Sequence, residues 1–209
     1  YYLTSPASIN SGTGTITIEG INQNPSFTTY SSGIVFALNS GLLTTITSAN
    51  NTSNAIQIIG YALGPNEANY GIEIETSSPL SVEATTSGGG IKVRTSQNST
   101  SSNKYDLVLR SHTNILAVDG PIELLGGQNS GAAEGYFYSS NDAILYLGSK
   151  SNSNITSSSS AITIQADQFS WNNQQPQIAT SGAVTVKPYS NSFAGGTYNM
   201  AKGWNSNNH

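Results

Sequence analysis

The chain has 209 residues, enough for one domain with a sizeable core, and a net charge of −4 with only 9% charged residues. Seven Lys and Arg against eleven Asp and Glu give no basic surplus to displace counterions, which excludes a nucleic-acid binder of the basic kind. Cysteine is absent, so disulfides and thiolate sites are excluded, and no apolar run approaches the ~18 residues of a membrane helix.

Disorder is the competing class, because 33 Ser, 21 Thr and 23 Asn dilute the apolar residues. Yet Ile (19) outnumbers Leu (13), Tyr reaches 11, and the net charge is small. Disordered chains lack that β-branched and aromatic content, and these residues favour strands. The composition predicts a folded, all-β chain. Opening at Tyr1 with no signal-peptide pattern, it reads as a processed or excised piece of something longer.

In chain order, ten segments alternate with period two. They are GTITIEG (14–20), GIVFAL (33–38), NAIQIIG (54–60), YGIEIE (70–75), GGIKVRT (89–95), YDLVLR (105–110), GPIELLG (120–126), AILYLG (143–148), SAITIQA (160–166) and GAVTVKP (182–188). Each reads as a strand with one buried face. Weaker strands recur midway, around Ile46, Val82, Leu116, Ile155 and Ile178. The first apolar anchors, from Ile16 to Val184, are spaced by about 19 residues on average.

A unit that short cannot close its own core, whereas stacked units can. The pattern predicts a right-handed parallel β-helix (β-solenoid) with about 19 residues per coil. Ten coils would make a rod of roughly 50 Å. Ile16, Ile56, Ile91, Ile122 and Ile162 would point inward. The alternative is an antiparallel sandwich built on tight hairpins. The repeat divides the chain into an N-terminal non-repeat segment (1–10), the β-helix (11–190) and a C-terminal non-repeat tail (191–209).

The runs SGTGTITIEG, YSSGIVFALNSG, LLTTITSA and ANYGIEIETSSPLSVEATTSGGGIKV resemble filamentous-haemagglutinin-like exoproteins. SSSSAITIQADQFSWNNQQPQIATSGAVTVKPYS is similar to repeats near the C-terminal part of such proteins. The resemblance covers about residues 11–190 and omits the family's N-terminal secretion domain. It implies a right-handed β-helix of the two-partner-secretion and autotransporter-passenger kind, secreted or held at the bacterial surface. The implied role is structural and adhesive.

Chemistry is sparse. Glu73 and Glu75 share one face of their strand, and Lys92 and Arg94 are expected on the corresponding outward face of the next coil. That set reads as a solvated charge ladder, with a sugar-binding or catalytic patch as the sharper alternative. Asp106 and Arg110 flank a strand with His112 just beyond, but no second His or acid stands at ligand spacing. The four Asp residues are scattered, which argues against calcium. Thr15, Thr17, Thr45 and Thr47 start a Thr array that Gln57, Glu73, Lys92, Glu123 and Tyr146 break. Tyr136, Tyr138 and Trp171 are candidate sugar- or protein-contacting aromatics, with core plugging as the alternative. Asn50, Asn51, Asn98 and Asn154 match glycosylation sequons, as chance allows in so Asn-, Ser- and Thr-rich a chain.

The sequence therefore predicts a structural or adhesive segment without catalytic residues, metal or cofactor; the alternative is a carbohydrate-active β-helix enzyme. Expected partners are further copies joined end to end, flanking repeats, and surface glycans or proteins. Tyr1, Tyr2, Phe193, Tyr198 and Trp204, in the two non-repeat segments, are the expected intersubunit contacts.

Overall fold

In a computed structural model, the described residues are 6–23, 31–37, 41–63, 69–98, 105–127, 135–140, 142–171 and 174–190. They form strands and connections, with no helix among them. The first rung is β1 (Ser8–Asn10), β2 (Ile16–Asn22) and β3 (Ser31–Phe36). The second is β4 (Thr44–Ser48), β5 (Ile56–Ala62) and β6 (Asn69–Ile74), and the third β7 (Leu80–Ala84), β8 (Ile91–Gln97) and β9 (Tyr105–Leu109). Next come β10 (Thr113–Ala117), β11 (Ile122–Gly126) and β12 (Tyr136–Ser139). The fifth rung holds β13 (Leu145–Gly148), β14 (Ile162–Gln165) and β15 (Gln168–Trp171). The last holds β16 (Gln177–Ala179) and β17 (Val184–Lys187).

Every third strand joins the same sheet, and all pairing is parallel. Sheet A is β1-β4-β7-β10-β13-β16, sheet B is β2-β5-β8-β11-β14-β17, and sheet C is β3-β6-β9-β12-β15. The fold is a β-solenoid with three sheets. At about 4.8 Å per step, six rungs rise about 24 Å, not 50 Å.

Register corrects the expected coil length. Ile16 pairs with Ile56, then Ile91, Ile122, Ile162 and Val184 in one row of sheet B. A full turn is therefore about 35 residues. The 19-residue step is the distance from a sheet B strand to the next sheet C strand, or on to sheet B again. Those two strand types look alike in sequence. The "weaker" strands around Ile46, Val82, Leu116 and Ile178 are the third side of each rung. AILYLG does not continue the sheet C series of GIVFAL, YGIEIE and YDLVLR: Leu145 pairs with Thr113 in sheet A, and β12 occupies sheet C instead. Ile155 lies in a connection, and β1 falls within the segment 1–10 that showed no repeat.

Inward rows fill the interior. Ile56, Ile91 and Ile122 have no exposed surface, and Ile16 and Ile162 are buried. Sheet C contributes Ile34, Ile72, Leu107, Phe137 and Phe169 in one row, and sheet A contributes Ile46, Val82, Ile115 and Leu147. Each such side chain is worth about 1.5–3 kcal/mol of burial.

Sheets B and C touch backbone to backbone at their shared corner. A Cβ on Gly20 would run into the carbonyl of Gly33, and one on Gly60 into that of Gly71. Only glycine permits this approach. In the third rung Thr95 takes the register position of Gly60, and Asp106 that of Gly71.

The connection after β13, residues 149–161, is longer than the one after β10 and folds back over the outer face of sheet A. Its Asn154 Nδ2 donates to Glu83 Oε2 at 2.9 Å, and Lys150 Nζ donates to Asn114 Oδ1 at 3.2 Å. Ser81 Oγ donates to the other Glu83 oxygen at 2.7 Å. At Ser81, Glu83 and Asn114 the outer face of sheet A is thus polar yet covered, with Leu116 buried beside Glu83 on the same face.

Ile122→Ala should cost about 2–5 kcal/mol in urea unfolding, and Gly60→Ala roughly 1–3 kcal/mol by overpacking. Ile21→Ala, at a 48% exposed position, should stay within about 0.5 kcal/mol.

Candidate functional site

The outer face of sheet C gathers most of the chemistry. Alternation along β6 turns Ile72 and Ile74 inward and Glu73 outward, into a row with Val35, Val108 and Tyr138. Glu73 Oε1 accepts a hydrogen bond from Arg110 Nε at 3.0 Å, and Ser32 Oγ donates to Oε2 at 3.2 Å. Three successive rungs are thereby tied together. Burial pushes the Glu73 carboxyl above its ordinary value, and the neighbouring Glu75 charge adds to this; Arg110 and Ser32 oppose it.

Tyrosines extend the face. Tyr105 stacks on Tyr70 at 5.8 Å and on Tyr138 at 4.6 Å, and meets Tyr136 edge-on at 4.7 Å. The Arg110 guanidinium lies 5.8 Å above the Tyr70 ring. Tyr70, Glu73, Glu75, Thr76 and Arg110 line an open concavity of about 390 Å³ beside this ladder. It offers a carboxylate, a cation and ring edges to a polyhydroxylated or peptide surface.

The sequence-predicted residues divide between sheets. Glu73 and Glu75 line the concavity together, and Tyr136 and Tyr138 stand beside it, half-buried, around the inward Phe137. Lys92 and Arg94 do not share this face, contrary to expectation. They belong to sheet B, where Lys92 Nζ pairs with Glu123 at 2.6 Å and Arg94 lies between Ile59 and Leu125. The counterion of Glu73 is Arg110, 37 positions on, a spacing visible only once the coil length is known.

Trp171 is not in a turn. It closes β15, packs against the core and stacks on Phe169 at 6.2 Å. His112 is exposed, and its Nδ1 accepts the Ile144 amide at 3.2 Å, a link to the next rung. Tyr1, Tyr2, Phe193, Tyr198 and Trp204 lie outside the described residues. Among the described residues no group of three or more His, Asp or Glu side chains is placed to hold a metal.

Sequence reasoning missed the environment of Asp106. It is fully buried at the corner of sheets B and C, where its Oδ2 accepts the Tyr136 amide at 2.6 Å and its carbonyl accepts the Thr95 hydroxyl. Desolvation raises its carboxyl well above the ordinary value, and the charge of Asp167 pushes the same way. The amides of Tyr136, Gln97 and Gly127 oppose the rise, although Oδ1 has no partner of hydrogen-bond geometry. Asp167 is itself held by Ser190, whose amide and hydroxyl donate to it at 2.7 and 2.8 Å.

Comparison with protein families, curated proteins and solved structures gives no match.

A carboxyl raised in the fold favours its protonated form there, so its contribution is fully present below the unfolded value of about 3.9 and lost as pH rises through the folded value. Wild type should therefore lose stability relative to Asp106→Asn in denaturant titrations as pH rises above the ordinary carboxyl range. Parallel pH curves for the two proteins would contradict this role of Asp106.

Proposed function

We propose that this chain is a structural and adhesive segment of a secreted bacterial surface exoprotein, a stiff right-handed rod presenting polar faces to its surroundings. The observation that supports it most is the unbroken inward row from Ile16 to Val184. Such a row couples every rung to its neighbours and makes the unit a spacer by construction. Right-handedness follows the general preference of parallel crossovers. Adhesion would use the sheet C face, with Glu75 and Arg110 meeting polar groups and the tyrosines meeting the apolar faces of sugars or side chains. Partners in this reading are surface glycans or proteins, and at the ends flanking repeats or further copies.

A carbohydrate-active enzyme is the second reading, favoured by two carboxylates lining one concavity with Glu73 raised by burial. Against it, both Glu73 oxygens are engaged by Arg110 and Ser32, which leaves Glu75 without a second available acid.

Beads coated with the protein should adhere to glycan- or protein-bearing surfaces, and Glu75→Ala with Tyr138→Ala should weaken adhesion several-fold while leaving the fold intact. Reproducible polysaccharide cleavage, abolished by Glu75→Gln, would overturn the structural reading in favour of the enzymatic one.

A further inference from the structure

A lysine and an asparagine meet beneath the connection 149–161, on the outer face of sheet A. Ser81, Asn114 and Tyr146 stand side by side in one outward row of that sheet, with Glu83, Leu116 and Gly148 in the next. Lys150 follows β13 and reaches back one rung, so that its Nζ lies 3.2 Å from Asn114 Oδ1. Two further contacts fix it there. The ammonium lies 4.2 Å from the centre of the Tyr146 ring, and the Lys150 amide donates to the Ile155 carbonyl at 2.9 Å.

The other end of the Asn114 amide is held as well. Its Nδ2 donates to Ser81 Oγ at 3.4 Å, and Ser81 Oγ donates to Glu83 Oε1 at 2.7 Å. Asn154 Nδ2 donates to the second Glu83 oxygen at 2.9 Å. Ser81, Glu83, Asn114, Leu116 and Ile155 are all buried, whereas Lys150 is half-buried and keeps a path to water. An amine thus faces an amide carbonyl, and a carboxyl reaches the amide nitrogen through one hydroxyl.

We propose that Lys150 and Asn114 join in an intramolecular amide bond, with loss of ammonia, that staples the connection after β13 to β10. Lys150 Nζ, as the free amine, attacks Asn114 Cγ. The Nζ–Cγ bond forms, the Cγ–Nδ2 bond breaks, and Nδ2 departs as ammonia. Nζ releases one proton to water during the attack. Nδ2 takes one up through Ser81 Oγ from the Glu83 carboxyl, which water then reprotonates. The balance needs no oxidant, cofactor or second protein.

Geometry supplies what a free lysine and asparagine in water lack. Holding the two groups together replaces an encounter by a unimolecular step, an advantage equivalent to effective molarities of about 10⁵ M or more. The terminal torsion of asparagine is broad, so a modest turn presents Cγ to Nζ. Burial of Asn114 and Glu83 keeps out the water that would hydrolyse the amide instead. The bond would close a loop spanning 36 positions and lock the fourth rung to the fifth.

Intact-mass spectrometry of the full chain should give the sequence mass less one ammonia, and proteolysis should release one branched peptide joining Lys150 to Asn114. Lys150→Arg and Asn114→Ala should each keep the full mass of their own sequence. The rate of bond formation should be bell-shaped in pH, rising as Lys150 loses its proton and falling as Glu83 loses its own. Among the described residues of these two rows and the connection 149–161, Tyr146 is the only other titratable group; β4 and β16 set Thr45, Thr47 and Gln177 beside them. Glu83→Gln can still accept from Asn154 and hydrogen-bond Ser81. It should slow formation by about 10²-fold and leave only the rising limb, whereas a merely structural Glu83 would change neither. A wild-type chain that keeps its full sequence mass after prolonged incubation at every pH overturns the proposal. An ammonia loss that persists in Lys150→Arg also overturns it, because that loss is then succinimide formation at an asparagine.

Discussion

Parallel register is the constraint on which the rest of this structure depends. Each inward side chain packs against its counterpart one rung away, so a slip of one residue would turn every Ile of a strand toward solvent. The rows in sheet B, Ile16 to Val184 and Ile18 to Val186, are β-branched or Leu throughout. That uniformity lets connections vary widely in length without disturbing the core. The step from Ile91 to Ile122 is 31 residues and the step from Ile122 to Ile162 is 40, yet both pairs stack alike.

The corner between sheets B and C is where this regularity becomes tight. Gly20 against Gly33 and Gly60 against Gly71 bring two backbones into contact, and the third rung replaces the second pair with Thr95 and Asp106. A buried carboxyl there costs desolvation but gathers backbone amides from the next rung, Tyr136 among them. Close by on the solvent side, Arg110 reaches back to Glu73 and lies over Tyr70, with Tyr105 and Tyr138 stacked alongside. The inward rows and the candidate binding face thus belong to the same strands, and alternation assigns their residues to opposite sides.

Period-two alternation made most strands and the inward Ile residues legible in the sequence. It could not reveal which strands stack, because GTITIEG and YGIEIE carry the same pattern although they belong to different sheets. Sheet A strands such as LSVEA were harder to read, because their outward residues, here Ser81 and Glu83, are polar yet buried, with Glu83 held by the connection 149–161. The mistaken coil length then misplaced Lys92 and Arg94 opposite Glu73 and concealed Arg110. Glu73 and Glu75 were recoverable because strand alternation and chain adjacency placed them together. Asp106 was not, since its burial arises from an inter-sheet contact that no local pattern encodes.

Interstrand nuclear Overhauser contacts between backbone protons test the central claim most directly. A three-sheeted parallel solenoid of about 35 residues per turn predicts cross-peaks joining the neighbourhoods of Thr17 and Gln57, Gln57 and Lys92, and Lys92 and Glu123. Cross-peaks joining residues about 19 apart, or the close Hα–Hα contacts of antiparallel pairs, would contradict it.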